Sequence, residues 1–173
     1  MGFTHFEGTE SQDVCFLANR ELPSFLTEQG LTGTDGEIVT EDGKVLGNHR
    51  GIWYYTVGQR RGLGIPDTTP WYVTALNVAA NRVIIGKNDQ LFHHNLLLRN
   101  VQWSIRAPKR WQGRVQIRSR HRAAEAEIRP LEKDRVLVHF AEPQRAITPG
   151  QFAVFYRDEQ VTGSGIIVGA LHC

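Results

Sequence analysis

Short runs of alternating hydrophobic and polar residues, separated by glycines and polar turns, make up most of the chain after Gly36. A period of two is typical of β-strands that bury one face. Helical spacing occurs from Asn19, a possible N-cap, through Phe25 to a stop at Gly30. The pattern therefore predicts a mainly β fold with one short helix. Its strand runs are Glu37–Val39, Lys44–Leu46, Ile52–Val57, Trp71–Leu76, Arg82–Ile85, Val115–Ile117, Ala126–Ile128, Arg135–Phe140, Gln151–Tyr156 and Gly165–Val168.

Turn signals organise these runs into two modules. The segment Glu41-Asp42-Gly43 predicts a hairpin turn between the first two runs. The polar residues 86–95, which include the pair His93-His94, follow one group of strands and precede a change in charge, so we place a domain boundary near residues 92–95. This divides the chain into a linker at 1–17, a central β-rich domain at 18–92 and a C-terminal β domain at 95–173.

The amino-acid composition disfavours several classes of protein, namely disordered, membrane-spanning and disulfide-stapled secreted ones. Hydrophobic residues make up 40% of the 173 and charged residues 22%, which predicts a folded chain. No stretch approaches the roughly 18 uninterrupted apolar residues of a membrane span, and residues 1–10 lack the order of a signal peptide. Two cysteines, Cys15 and Cys173, are too few for a disulfide-stapled secreted fold. We therefore expect a cytoplasmic protein.

Charge is distributed unevenly along the chain. Residues 1–98 carry 7 Lys/Arg against 11 Asp/Glu, whereas residues 99–173 carry 13 against 7. The segment 99–122 holds eight basic residues and no acidic one, which is typical of a surface that binds phosphates or an acidic partner, although a solvated strand face would look the same. Those residues are Arg99, Arg106, Lys109, Arg110, Arg114, Arg118, Arg120 and Arg122.

The alternation within 114–122 predicts which side chains of this segment point outward. Val115 and Ile117 should face the core. Arg114, Gln116, Arg118, Arg120 and Arg122 would then share an exposed face suited to a phosphate backbone.

A single thiol is the strongest candidate for covalent chemistry. Cys15 follows polar and acidic residues and precedes a helix start, where backbone N–H groups can stabilise a thiolate, whereas the neighbouring Asp13 opposes it. The sequence leaves open whether this thiol is reactive or incidental. No histidine spacing indicates a metal site.

Glycines at 58, 62 and 64 surround Arg60 and Arg61. Such a loop could hold a phosphate, or it could be a structural turn packed beneath Trp53 and Tyr55. The chain contains neither a Walker loop nor a dinucleotide fingerprint, which disfavours nucleotide hydrolysis by these residues.

Several motifs, in order along the chain, resemble those of the tRNA-specific 2-thiouridylases. The resemblance implies a central β domain followed by a six-stranded barrel of the translation-factor type, and an enzyme that replaces O2 of the wobble uridine of tRNA with sulfur. The motifs are Ser11-Gln12-Asp13-Val14-Cys15-Phe16, Gly36-Glu37-Ile38-Val39, Tyr55-Thr56-Val57-Gly58-Gln59-Arg60-Arg61-Gly62-Leu63-Gly64-Ile65, Pro70-Trp71-Tyr72-Val73 and Thr148-Pro149-Gly150-Gln151 with Ala153-Val154-Phe155-Tyr156.

The resemblance also assigns roles. It implies that Cys15 carries the sulfur as a persulfide, that the partner thiol with which it forms a disulfide lies in another domain, and that Arg120, His121 and Gln151 contact tRNA. ATP, with magnesium, would be bound by an N-terminal domain whose S-G-G-V-D-S-S loop is missing from this sequence. We therefore expect a fragment that is inactive alone. Its expected partners are tRNA and a persulfide donor protein, with neither membrane nor DNA, and the alternative is a non-catalytic RNA-binding β module.

Overall fold

The computed structural model describes residue 25 and residues 27–30, 33–106, 109–119 and 122–171. Phe25, Thr27 and Glu28 are helical, and the amide of Gln29 donates to the Phe25 carbonyl at 3.1 Å. Gly30 follows with φ of +77°, a conformation that glycine adopts without steric cost. The predicted helix stop is confirmed, while the predicted N-cap Asn19 lies outside the described residues.

Four strands form the first unit, which we call the small sheet. They are β1 (Gly36–Thr40), β2 (Val45–His49), β3 (Tyr72–Asn77) and β4 (Arg82–Gly86), in the order β2-β1-β4-β3. The hairpin predicted at Glu41-Asp42-Gly43 is confirmed: β1 and β2 pair antiparallel, and Gly43 takes φ of +85° in the turn. The pair β1 and β4 is parallel.

Six strands form the second unit, a closed antiparallel barrel. They are β5 (Phe92–Trp103), β6 (Trp111–Gln116), β7 (Ala124–Pro130), β8 (Val136–Arg145), β9 (Phe152–Arg157) and β10 (Gln160–Leu171). Around the barrel they follow the order β10-β5-β8-β7-β6-β9. The predicted fold class, mainly β with a six-stranded barrel, is confirmed.

Each unit has its own hydrophobic core. The barrel is filled by fully buried side chains from its strands, with Phe140 and Phe155 the largest. The small sheet packs over Ile38, Ile52, Leu63, Val73, Val83 and Ile85. Burying apolar surface in two separate clusters is what allows two small units to fold within one chain of this length.

One sequence prediction about a strand was wrong, and one strand was missed. Ile52–Val57 is not a strand, since Ile52–Tyr54 forms a 3₁₀ turn. The reason is that consecutive residues, Ile52 and Trp53, both pack against the same core, which a strand with alternating faces does not permit. Strand β5 was not predicted because its first half is rich in polar residues and its alternation is interrupted.

The two units meet at a small set of contacts, which we call the junction. The amide of Ala146 donates to the Leu91 carbonyl at 2.7 Å. The guanidinium of Arg145 lies 5.3 Å from the centre of the Tyr72 ring, and its Nε donates to Asn88 Oδ1 at 3.3 Å. The end of β8 therefore contacts the small sheet and the 3₁₀ turn Asn88–Leu91.

The described residues contain no helix that is both long and apolar enough to span a lipid bilayer.

Candidate nucleic-acid interface

Three of the four site residues assigned by resemblance, Cys15, Arg120 and His121, lie outside the described residues, as does Cys173. Gln151 is described. It lies in the turn that leads into β9, after Gly150, which has φ of +85°. The amide of Ile167 donates to the Gln151 carbonyl at 2.8 Å, so β10 holds the backbone in place while the side chain is exposed.

A surface pocket of about 510 Å³ adjoins Gln151, and we call it the Phe152 pocket. Ile117 is buried within it, and the exposed ring of Phe152 forms part of its wall. Strands β6 and β9 pair in the barrel, and this pairing brings Gln151 beside Arg118 and Ser119, the two residues that immediately precede Arg120. The pocket is lined by Ile117, Arg118, Ser119, Gln151 and Phe152.

Sequence reasoning missed Phe152, although the alternation in β9 could have identified it. Ala153 and Phe155 are completely buried, which places Phe152 on the outer face with 62% of its surface exposed. An apolar ring at an outward position of an otherwise regular strand was the available signal.

Arg118 is held by the protein's own backbone. Its Nη2 donates to the carbonyl of Arg145 at 2.9 Å and to that of Ala146. Burial lowers the pKa of the Arg118 guanidinium, and the nearby charge of Arg145 lowers it further. The side chain therefore lies between the Phe152 pocket and the junction and connects the two.

The predicted outward face of 114–122 requires a correction. Val115 and Ile117 are buried, as predicted. However, Arg114 donates to the Asp158 carbonyl, and Gln116 Oε1 accepts a hydrogen bond from the Tyr156 hydroxyl at 2.9 Å. These two side chains, like that of Arg118, are only partly exposed and hydrogen-bond to protein atoms, so the three together are not a row of free side chains. Of the other two predicted members, Arg120 lies outside the described residues and Arg122 is exposed.

The basic segment 99–122 is nevertheless poorly neutralised. Among its described members, only Arg110 pairs with a carboxylate of the described residues, that of Glu127. Arg129 also contacts Glu127, at 3.1 Å. Hydrogen bonds from both arginines lower the pKa of Glu127, and the bond from Arg110 has the larger effect. The remaining positive charge is available to an anionic partner.

The loop that contains Gly58, Gly62 and Gly64, which we call the glycine loop, is held in place by hydrogen bonds within the small sheet. The amide of Gly58 donates to the Val73 carbonyl at 2.7 Å, and the amide of Val73 donates to the Gln59 carbonyl at 2.9 Å. The Gln59 side chain accepts from the amide of Thr56 and donates to the Arg61 carbonyl, both at 3.0 Å. These contacts support the structural interpretation of the loop. They also leave Arg60 and Arg61 exposed.

In the part of the chain that the structure describes, no three His, Cys, Asp or Glu side chains are grouped so that they could hold a metal ion.

Comparison with known proteins places both units in one family. Residues 24–87 match the family model described as the tRNA methyl transferase PRC-barrel domain, and residues 93–167 match the model described as the aminomethyltransferase beta-barrel domain. A relative from Desulfotalea psychrophila, named tRNA-specific 2-thiouridylase MnmA, is 50% identical over 171 aligned residues, in a match that covers 96% of this chain and 49% of the relative.

Two further relatives agree. A protein from Syntrophus aciditrophicus, named tRNA-specific 2-thiouridylase MnmA 1, is 43% identical over 167 residues, 96% of this chain and 44% of the relative. One from Syntrophotalea carbinolica, named tRNA-specific 2-thiouridylase MnmA, is 43% identical over 160 residues, 91% of this chain and 46% of the relative. The chain spans about half the length of the curated relatives it matches. With matches across both the small sheet and the barrel, the chain belongs to the tRNA-specific 2-thiouridylase family.

Proposed function

We propose that this chain is the tRNA-binding and sulfur-carrying part of a tRNA 2-thiouridylase. The observation that carries the proposal is the identity of up to 50% over nearly the whole chain with proteins of that name. The basic surface of the barrel supports it, because most cations of segment 99–122 that the structure describes pair with no described carboxylate, and such cations suit a polyanionic ligand such as tRNA.

The proposed chemistry uses Cys15. Its thiolate attacks the terminal sulfur of a persulfide on a donor protein; a new S–S bond forms at Cys15 and the donor's thiolate leaves. A second cysteine thiol in the other half of the protein then attacks the Cys15 sulfur, forms a disulfide and releases hydrosulfide. The hydrosulfide adds at C2 of a uridine activated by adenylation at O2, and AMP departs with that oxygen.

Adenylation is not assigned to these residues. The S-G-G-V-D-S-S phosphate loop that the family uses for ATP is missing from the sequence, and no other phosphate-binding fingerprint replaces it. ATP and magnesium therefore do not fit the residues present here. We propose that they act in the half of the relatives' length that this chain does not match.

A thiol-trapping experiment tests the role of Cys15. The chain is incubated with a small-molecule persulfide, alkylated and digested, and each cysteine peptide is weighed by mass spectrometry. We expect a persulfide on Cys15 and little on Cys173, which serves as the internal control. Equal labelling of both thiols would contradict the proposal and favour a non-catalytic RNA-binding module.

A substitution of Cys15 in the complete enzyme separates tRNA binding from sulfur transfer. Cys15→Ser should abolish 2-thiouridine formation while tRNA affinity stays within a few-fold of wild type, because one sulfur atom adds little to a polyelectrolyte contact. Thiouridine found in tRNA treated with that variant would remove Cys15 from the mechanism.

A further inference from the structure

Phe152 is the most exposed aromatic side chain among the described residues. It lies at the start of β9, opposite Ile166 of β10, and 62% of its surface is in contact with solvent. The next residue, Ala153, is buried in the barrel, so the ring cannot turn inward without breaking the alternation of the strand. The barrel thus presents a flat apolar face at its surface.

Positive charge accompanies this ring. Arg118 lines the same pocket and lies near Arg145, and neither forms an ion pair with a carboxylate of the described residues. Two backbone carbonyls take two of the five N–H donors of the Arg118 guanidinium. The remaining donors and the uncompensated charge suit an anionic oxygen of a ligand.

The third feature is an amide beside the ring. The exposed side chain of Gln151 can both donate and accept hydrogen bonds, as the edge of a nucleobase requires. The pocket volume of about 510 Å³ falls within the range of small-ligand sites. An aromatic face, an amide and a cation are the three groups with which proteins commonly bind an unpaired nucleotide.

We propose that the Phe152 pocket binds one unpaired nucleotide of RNA, with its base stacked on the Phe152 ring, its edge at Gln151 and its phosphate on the Arg118 side. The inference rests on the proposed function, since tRNA would supply that nucleotide, and it adds the residue that would contact the base. Stacking tolerates any base, so the pocket fixes the position of the RNA and does not read its sequence.

Anisotropy titration of the whole chain tests the pocket. The probes are a labelled tRNA and a labelled single-stranded RNA of about ten nucleotides, measured across about 50 to 300 mM salt. The variants are Phe152→Ala, Phe152→Tyr and Val161→Ala. Val161 is a matched control, because it is 51% exposed and apolar but lies at the far end of the β9-β10 hairpin.

We expect Phe152→Ala to weaken binding of both RNAs by about 5-fold to 150-fold, the range for losing one stacked base. The slope of affinity against salt should not change, because no phosphate contact is lost. Phe152→Tyr, which keeps the ring, and Val161→Ala should stay within about twofold of wild type.

The remaining outcomes distinguish a failure of the proposed pocket from a failure of the proposed function. If wild type binds tRNA and a normally folded Phe152→Ala binds equally well, the pocket is refuted and the proposed function stands. The pocket is also refuted if tyrosine fails as badly as alanine, or if an acidic peptide of equal charge binds wild type as tightly as the single strand. Binding of the single strand but not of tRNA would refute the proposed function alone, and binding of neither RNA would refute both.

Discussion

Replacing Gly58 by alanine tests how tightly the small sheet and the barrel are packed together. A Cβ added at Gly58 would lie 2.9 Å from the Cβ of Ala146 across the junction. Non-bonded carbon atoms prefer about 3.5 to 4.0 Å, so one side of the junction must move. Gly58 also has φ of +91°, which L side chains rarely adopt. The substitution therefore carries a backbone cost and a contact cost.

A matched variant separates the two costs. Gly43 has a similar φ of +85°, but nothing lies within 4 Å of a Cβ added there. Gly43→Ala should thus cost only the backbone strain, about 1 to 2 kcal/mol. Gly58→Ala should cost about 1 to 3 kcal/mol more, the usual penalty for overpacking a contact that cannot relax freely.

The second half of the cycle removes the opposing methyl group. Ala146 is itself at φ of +52° and is 1% exposed, so Ala146→Gly relieves backbone strain while losing one buried methyl, and we expect a small net effect. In the double variant the clash is absent. The double variant should therefore be more stable, by about 1 to 3 kcal/mol in the free energy of unfolding, than the added effects of the two single substitutions predict.

Urea unfolding monitored by tryptophan fluorescence measures the wild type and the four variants, since Trp53 and Trp71 report on the small sheet and Trp103 and Trp111 on the barrel. Equal destabilisation by Gly58→Ala and Gly43→Ala, with no rescue by Ala146→Gly, would refute the packed junction.

Three further predictions concern charge. Arg120→Ala should weaken tRNA binding by roughly 1 to 3 kcal/mol and reduce the log-log salt slope by about one, while His121→Ala should leave the slope unchanged; filter binding across salt concentrations checks both. Replacing the exposed Arg60 and Arg61 together by alanine should leave the melting temperature unchanged, because hydrogen bonds of Gln59 and Val73, and not the two arginine side chains, hold the glycine loop. A large drop of the melting temperature in a thermal melt would contradict this prediction. The hydrogen bond from Lys87 lowers the pKa of Asp67 to about 2, so the stabilising effect of the ionised carboxylate is complete above the ordinary carboxyl pKa of about 3.9 and is lost as pH falls through about 2. Asp67→Asn should melt below wild type at pH near 6, and thermal melts should show this difference shrinking as pH falls through about 2.

Strands with strict alternation could be predicted from sequence because one face of each is buried. In β9, for example, Ala153 and Phe155 point into the barrel core and mark the period of two directly. Strand β5 could not be identified in this way. Leu96 and Leu98 point inward, but the next inward residue is Val101, because Asn100 adopts φ of +51° and shifts the alternation by one. Such a bulge is set by the partner strand β10, whose register also shifts there.

The candidate site was only partly accessible to sequence reasoning. The motif resemblance singled out Gln151, but nothing local in the sequence places it beside Arg118, because that contact depends on the pairing of β6 with β9. The alternation placed Arg118 on an open face, whereas the structure places its guanidinium against carbonyls at the end of β8. Long-range closure of the barrel decides both positions, and a period of two carries no information about it.

The end of β8 joins the Phe152 pocket to the small sheet. The carbonyls of Arg145 and Ala146 hold Arg118 in the Phe152 pocket, while the Arg145 side chain contacts Tyr72 of the small sheet. A shift of this segment must therefore move the pocket cation and the junction together. It follows that Gly58→Ala, made far from the pocket in sequence, should also weaken RNA binding, and that Ala146→Gly should restore affinity along with stability. Rescue of stability without rescue of affinity would show that the pocket is positioned independently of the small sheet.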